Sequence, residues 1–144
     1  MKSFAVTVPA EAAYLKVIRG FFQPVLVEVV GERACMLVLA LDEACSNIIK
    51  YRANSLERCL IHVRAEIEET QARFRIGDFC DLADVSRIKP RSLDDIRPGG
   101  LGTHFINEIM DEVRFEPEAE NSERMALVLI KNLPLSEVDD ATED

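Results

Sequence analysis

Three groups of residues combine types and spacings that could do chemistry. On a helical projection of about 100° per residue, Glu43, Asn47 and Tyr51 share one stripe at i, i+4 and i+8. The stripe runs beside the small Ala40, at the margin of an apolar arc made by Leu37, Val38, Leu41, Ala44, Cys45, Ile48 and Ile49. Asp42, Ser46 and Lys50 fall on a separate, solvent-facing arc. A carboxylate and an amide one turn apart at a core margin can act on one ligand, as a base and as an oxygen ligand to a metal. The same pair also suits a local role, with Glu43 capping or salt-bridging and Asn47 bonding a loop backbone.

Asp78 is the second group. Counting by twos from Ala72, Phe74 and Ile76, it falls in phase with the buried face of a strand. An ionised carboxylate in that position needs a donor, because burying it unpaired costs several kcal/mol. A loop amide could supply that donor, and so could the amino group of a ligand. The third group is Pro98-Gly99-Gly100-Leu101-Gly102-Thr103, directly ahead of an amphipathic pattern. Glycines let backbone approach a ligand closely, and the amides of a helix start favour phosphate. The stretch has neither the Lys of a Walker loop nor the spacing of a Rossmann fingerprint, which disfavours both of those nucleotide folds.

These groups must be positioned by ordinary elements, and the apolar periodicity supplies them. Phe4 to Val8 reads as a strand ended by Pro9. Tyr14, Leu15, Ile18, Phe21 and Phe22 follow at helical spacing, and Pro24 is expected to kink or end that helix, with Val25 to Val30 as its resumption. Gly31 is a break, after which Arg33 to Arg52 forms the longest helical pattern. Leu60 to Ile67 and Ala72 to Asp78 alternate apolar and polar residues, two half-buried strands joined by a turn short enough for a hairpin. Cys80 to Pro98 has no clear period, the mark of a binding loop, a lid or disorder. Leu101, Phe105, Ile109 and Met110 then mark a helix, and Val113 to Phe115 and Met125 to Ile130 two last strands. Strands adjoining in pairs imply antiparallel pairing. The expectation is an α+β fold, a two-layer sandwich whose mixed, mainly antiparallel sheet carries three helices on one face. One domain over residues 1–133 and a frayed acidic tail over 134–144 complete it.

Composition narrows the partners. The chain has 144 residues, 48% of them apolar, with 17 Lys and Arg against 26 Asp and Glu, a formal net charge of −9. One globular domain fits that length. The acidic balance argues against direct nucleic-acid binding, which clustered Lys and Arg drive. No apolar run approaches the roughly 18 residues of a membrane span, and the first residues lack a secretion signal, so a cytoplasmic protein is expected. Cys35, Cys45, Cys59 and Cys80 form no C-x-x-C pair and there are two His, which disfavours a zinc cage. A disulfide framework is likewise not expected. At least three of the four should be buried or half-buried thiols.

Taken in chain order, the three groups outline a nucleotide site. Glu43-Ala44-Cys45-Ser46-Asn47-Ile48-Ile49-Lys50-Tyr51 resembles the N-box of the GHKL ATPase superfamily. Pro98-Gly99-Gly100-Leu101-Gly102, with Phe105 to Val113, is similar to its G2 box. The wording of that second stretch is closest to the anti-sigma-factor serine/threonine kinases of the RsbW and SpoIIAB type, and the resemblance covers about residues 3 to 131. It implies a Bergerat-type ATP-binding fold, the histidine kinase-like ATPase domain. Glu43 would match the general base that takes a proton from a substrate Ser or Thr hydroxyl. Asn47 would match the Mg²⁺ ligand beside the ATP phosphates. Asp78 would match the carboxylate that accepts from the adenine amino group, with Cys80 two residues on in the same box. Gly100, Leu101, Gly102 and Thr103 would line the triphosphate, residues 81–97 would form the ATP lid, and Arg97 is near enough in sequence to reach phosphate.

One departure bears on activity. The family's box reads Asp-x-Gly, whereas here it reads Asp78-Phe79-Cys80. Glycine leaves room for the base and allows unusual backbone angles, so Cys80 is expected to weaken nucleotide binding without abolishing it. Tyr51, where the N-box often has His, is a milder change. The function implied is an anti-sigma factor that phosphorylates a STAS-type anti-anti-sigma protein, binds a sigma factor and forms a homodimer. A partner-binding module with a degenerate nucleotide site is the alternative.

Overall fold

In the computed structural model, residues 1–51, 58–80, 104–118 and 125–135 are described, with backbone alone at 51, 78–80, 104 and 105. Strand β1 (Lys2–Pro9) leads through a 3-10 turn into helix α1 (Leu15–Val30). Helix α2 (Ala34–Tyr51) follows, then β2 (Cys59–Ile67) and β3 (Gln71–Cys80). A short helix α3 (His104–Ile109), β4 (Glu112–Pro117) and β5 (Met125–Asn132) close the order.

The five strands form one sheet in the order β1-β2-β3-β5-β4, and every described pairing is antiparallel. Among the described residues the sheet is therefore wholly antiparallel, with two long helices and one of six residues. The alternation read from sequence sets the register. Ile61, Val63, Ala65 and Ile67 of β2 are buried, and so are Ala72, Phe74 and Ile76 of β3 opposite them. Against this face pack Ile18, Phe22 and Leu26 of α1, the apolar arc of α2, and Ile106 and Met110 of α3, in one core. Phe22 and Phe74 pack edge to face at a centroid distance of 6.4 Å, tying α1 to the middle of the sheet.

Helix α1 runs through Pro24 without a break. Pro24 cannot donate to the carbonyl of Gly20, but it is exposed, and water can satisfy a carbonyl on that side. Phe22 and Leu26 are fully buried on either side of it, and their packing holds the helix together. Gly31 ends it with φ of 66°, a left-handed value that glycine adopts at little cost. Arg19 then pairs with Asp42 at 2.6 Å, linking α1 to α2.

The opposite face of the sheet is polar. Arg73 Nη2 lies 2.5 Å and Arg75 Nη1 3.1 Å from Glu116 Oε2, and Arg114 reaches the other oxygen at 3.5 Å. Beneath this network Ala126, Val128 and Ile130 of β5 are buried, so β5 is covered on both sides. Its continuous apolar run is the sequence mark of such a strand.

Lys131 is 3% exposed. Its ammonium donates to the carbonyl of Ile109, the last residue of α3, at 2.7 Å, with Asp111 Oδ1 at 3.8 Å. A cation at a helix C-terminus satisfies an orphan carbonyl and complements the dipole. Asp111 accepts from the Asn132 amide at 2.7 Å, fixing the turn from α3 into β4 against the end of β5.

The cysteines depart from expectation. Cys45 is a buried free thiol, and Cys35 is free but exposed. Burial, reinforced by Asp42, pushes the Cys45 thiol far above its usual range, so it stays protonated. Cys59 is disulfide-bonded. Its spacing from the other cysteines in sequence hides what the hairpin does, which is to fold β3 back along β2 and set Cys80 opposite Cys59.

Candidate nucleotide site

Helix α2 places the first pair. Leu37, Leu41, Ala44, Cys45 and Ile48 are at most 1% exposed, so the helix is pinned by its apolar arc and cannot rotate without exposing it. Glu43 and Asn47, one turn apart, are thereby fixed along the margin of that arc. Glu43 is half-buried and engaged by a partner in the structure. Asn47 is 8% exposed, and its side-chain Nδ2 is buried without a hydrogen-bond partner among the described residues. Leaving an amide unsatisfied costs about 1–3 kcal/mol, a cost that a ligand accepting from Nδ2 would relieve.

Asp78 lies on β3 directly opposite Ile61 of β2, which is fully buried. Directly opposed residues share a face of the sheet, so Asp78 stands at an inner-face register position, as its phase in sequence predicts. Phe79 and Cys80 continue the strand, opposite Leu60 and Cys59. Arg97, Gly100, Leu101, Gly102 and Thr103 lie outside the described residues, together with the rest of 81–103. Directly after them α3 starts at His104 and packs on α2, with Ile106 buried. Ile106 lies off the expected apolar stripe of Leu101, Phe105, Ile109 and Met110, yet it is 1% exposed.

The chain matches the family model of the histidine kinase-like ATPase domain over residues 8–131. It belongs to that family. Among histidine kinase-like ATPases it is similar to the serine-protein kinase RsbW of Bacillus licheniformis, at 27% identity over 114 residues, 74% of this chain and 69% of the relative. It is also similar to the serine-protein kinase RsbW of Bacillus velezensis strain DSM 23117, at 25% identity over 88 residues. That match spans 56% of this chain and 55% of the relative.

A histidine kinase-like ATPase domain implies ATP, and the residues present fit it. The orphan Asn47 amide group has a donor for a phosphate oxygen and an oxygen of the kind a hard cation takes. Among the described residues no three His, Cys, Asp or Glu side chains gather as a metal cage. A Mg²⁺ ion here would draw most of its ligands from phosphate and water, as that ion commonly does.

A polar hollow lies elsewhere, on the open face of the sheet, lined by His62, Arg64, Glu66, Arg75, Gly77 and Glu118. The Glu118 carboxylate sits in the space that a Cβ on Gly77 would occupy. His62 shares a hydrogen bond with Thr7, Nδ1 to Oγ1 at 2.6 Å, and burial with the nearby Arg64 lowers its pKa. The hollow lies on the far side of the sheet from α2.

Proposed function

We infer that this protein is an ATP-dependent serine/threonine kinase that acts as an anti-sigma factor and phosphorylates a STAS-type anti-anti-sigma protein. The observation that carries this reading is the Glu43–Asn47 pair on α2, with the Asn47 amide buried and unsatisfied, in a histidine kinase-like ATPase domain. The similarity to two RsbW serine-protein kinases supports phosphoryl transfer to a protein serine.

In this reading Asp78 accepts a hydrogen bond from the adenine amino group and so selects the base. Gly100, Leu101, Gly102, Thr103 and Arg97 hold the triphosphate, and Cys80 lies beside the base. Glu43 takes the proton from the substrate hydroxyl as its oxygen attacks the γ-phosphorus. Mg²⁺, when held at the Asn47 amide oxygen, offsets charge on the phosphates. Phosphoryl transfer of this kind depends mainly on positioning and electrostatics. The working unit is a cytoplasmic homodimer, each chain one domain over 1–133 with an acidic tail over 134–144. The net charge of −9 favours a partner with basic faces, such as a sigma factor, over nucleic acid itself.

The test is transfer of labelled γ-phosphate from Mg-ATP to STAS proteins of the same genome. The wild-type chain should label one of them on Ser or Thr. Glu43→Ala should lower that rate by at least about 100-fold, the scale of a general base, with ATP affinity nearly unchanged. Retained transfer in that variant would remove Glu43 from the role. Cys80 in place of the family's glycine favours a second reading, a partner-binding module with a degenerate site. Equilibrium dialysis separates the two, since a module would bind no Mg-ATP as wild type and regain it as Cys80→Gly.

A further inference from the structure

The cysteines set a question that nucleotide chemistry leaves open. Cys59 opens β2, Cys80 ends β3, and the register places them directly opposite one another as the outermost pair of the hairpin. Opposed residues of an antiparallel pair have Cα atoms roughly 4.5 or 5.5 Å apart, according to the pair type. Both values fall inside the roughly 4.4–6.8 Å that a disulfide spans. Cys59 is disulfide-bonded, while Cys35 and Cys45 are free thiols. Cys45 is fully buried in α2, and its thiol is held protonated. Cys80 is the cysteine that the register supplies.

The location gives the pair its consequence. One residue, Phe79, separates Cys80 from Asp78, which pairs with Ile61, and Cys59–Cys80 is the last pair of the β2–β3 ladder among the described residues. The β3–β5 pairing reaches only Ile76, opposite Leu127. Among the described residues, 77–80 of β3 are thus paired by β2 alone. Strand ends held by few contacts open at little cost, and a covalent link at the last pair closes that opening. We propose that Cys59 and Cys80 are a reversible redox pair that holds the Asp78 end of β3 in register, so that thiol oxidation tightens nucleotide binding.

The chemistry is thiol–disulfide exchange with a low-molecular-weight disulfide, R–S–S–R. One cysteine thiolate attacks it, forming a mixed disulfide and releasing R–S⁻. The second thiolate attacks the protein sulfur of that mixed disulfide and releases the other R–S⁻. Two protein thiols are oxidised, one R–S–S–R is reduced to two R–SH, and the two protons lost by the cysteines end on those thiols. A dithiol reductant runs the exchange backwards. In a reducing compartment such a pair serves as a sensor more than as a staple. Cysteine at the position of the family's glycine then has a use that glycine lacks.

The effect on affinity rests on the nucleotide reading of Asp78, and the experiment keeps the two apart. The full chain is equilibrated with oxidised glutathione or with dithiothreitol, alkylated, digested and mapped by mass spectrometry. In parallel, amide exchange is followed over residues 58–80 and Mg-ATP affinity by equilibrium dialysis. The oxidised chain should give a Cys59–Cys80 linked peptide and two alkylated thiols, the reduced chain four. Exchange at 78–80 should be slower when oxidised. If the competent strand end is formed in about a fifth of reduced molecules, ATP binds about five-fold more weakly to them. Cys59→Ser and Cys80→Ser should each abolish the redox response of affinity. A peptide linking Cys59 to another cysteine, or equal exchange at 78–80 in both states, overturns the proposal. Equal ATP affinity in both states overturns its claim on binding. If neither state binds ATP, the nucleotide reading fails, and the linked peptide and exchange still decide the redox pair.

Discussion

The two faces of the sheet are built from alternate residues of the same strands, yet they accept polar groups on opposite terms. On the open face Arg73, Arg75 and Arg114 gather on Glu116 near water, and Arg73 Nε alone of the group is buried without a hydrogen-bond partner among the described residues. On the helix-covered side Ile61, Val63, Phe74, Ile76 and Leu129 are fully buried, and a polar group there has no such escape. The exceptions on that side are few, and each has a distinct reason. Lys131 holds the end of α3, Asn47 presents an unsatisfied amide, and Asp78 sits at an inner register position. A polar residue on the inner side is therefore informative about structure or ligand, whereas one on the open face is not.

Changes on the inner side should have the largest effects. Phe74 is fully buried at the centre of the core, and Phe74→Ala should cost about 3–5 kcal/mol from lost burial and the cavity left behind. The urea midpoint of unfolding should fall with little change in slope. Lys131→Met comes next. It preserves the buried stem but leaves the Ile109 carbonyl without its donor, a cost of about 2 kcal/mol. Loss confined to α3 and the β4 turn in amide exchange would support the capping role. A Lys131→Met protein as stable as wild type would mean that this inner-side polar group has no structural duty.

The contrast between the faces also decides what could be read from sequence. Period-two alternation gave β2 and β3 correctly because one face is dry and the other wet, and the period of α2 revealed the stripe of Glu43 and Asn47 for the same reason. Asp78 stood out as a charge in an apolar phase. Pro24 misled, because local backbone rules carry no information about the burial of Phe22 and Leu26 that keeps α1 continuous. The network on Glu116 was invisible, since it joins β3 to β4 across the intervening β5 and depends on strand order. The apposition of Cys59 and Cys80 was hidden in the same way, because register, not spacing, brings them together.

Asn47 should respond to substitution with a change of opposite sign. Asn47→Leu is close in volume and removes a buried amide whose Nδ2 has no partner. A residue kept for structure would lose stability on this change, as Lys131 should. A residue kept for a ligand should gain about 1–2 kcal/mol, since replacing an unsatisfied polar group by an apolar one relieves its desolvation. Thermal unfolding of the free protein reads the gain, and Mg-ATP dialysis should show binding lost. A destabilised Asn47→Leu protein would place Asn47 with Lys131 and leave Glu43 without a companion.

The smallest effect belongs to the open face, where Glu116→Gln tests whether its charge network matters at all. Burial alone would raise the Glu116 pKa, but the hydrogen bond from Arg73 and the charges of Arg73, Arg114 and Arg75 outweigh it and hold the carboxyl below its ordinary value. The folded state thus favours the ionised form. Its contribution is present above the unfolded pKa and is lost as pH falls through the folded one. The side chains are partly exposed, so solvent and salt screen the pairs, and about 0.5–1 kcal/mol is the expected scale. At neutral pH and low salt Glu116→Gln should be less stable by that amount. The gap should close on acidification, as wild-type Glu116 takes up its proton, and shrink in high salt at neutral pH. A gap that persists in acid would trace instead to packing of Glu116 beside its register partner Ala126, and the open face would then be held by contact area as the inner one is.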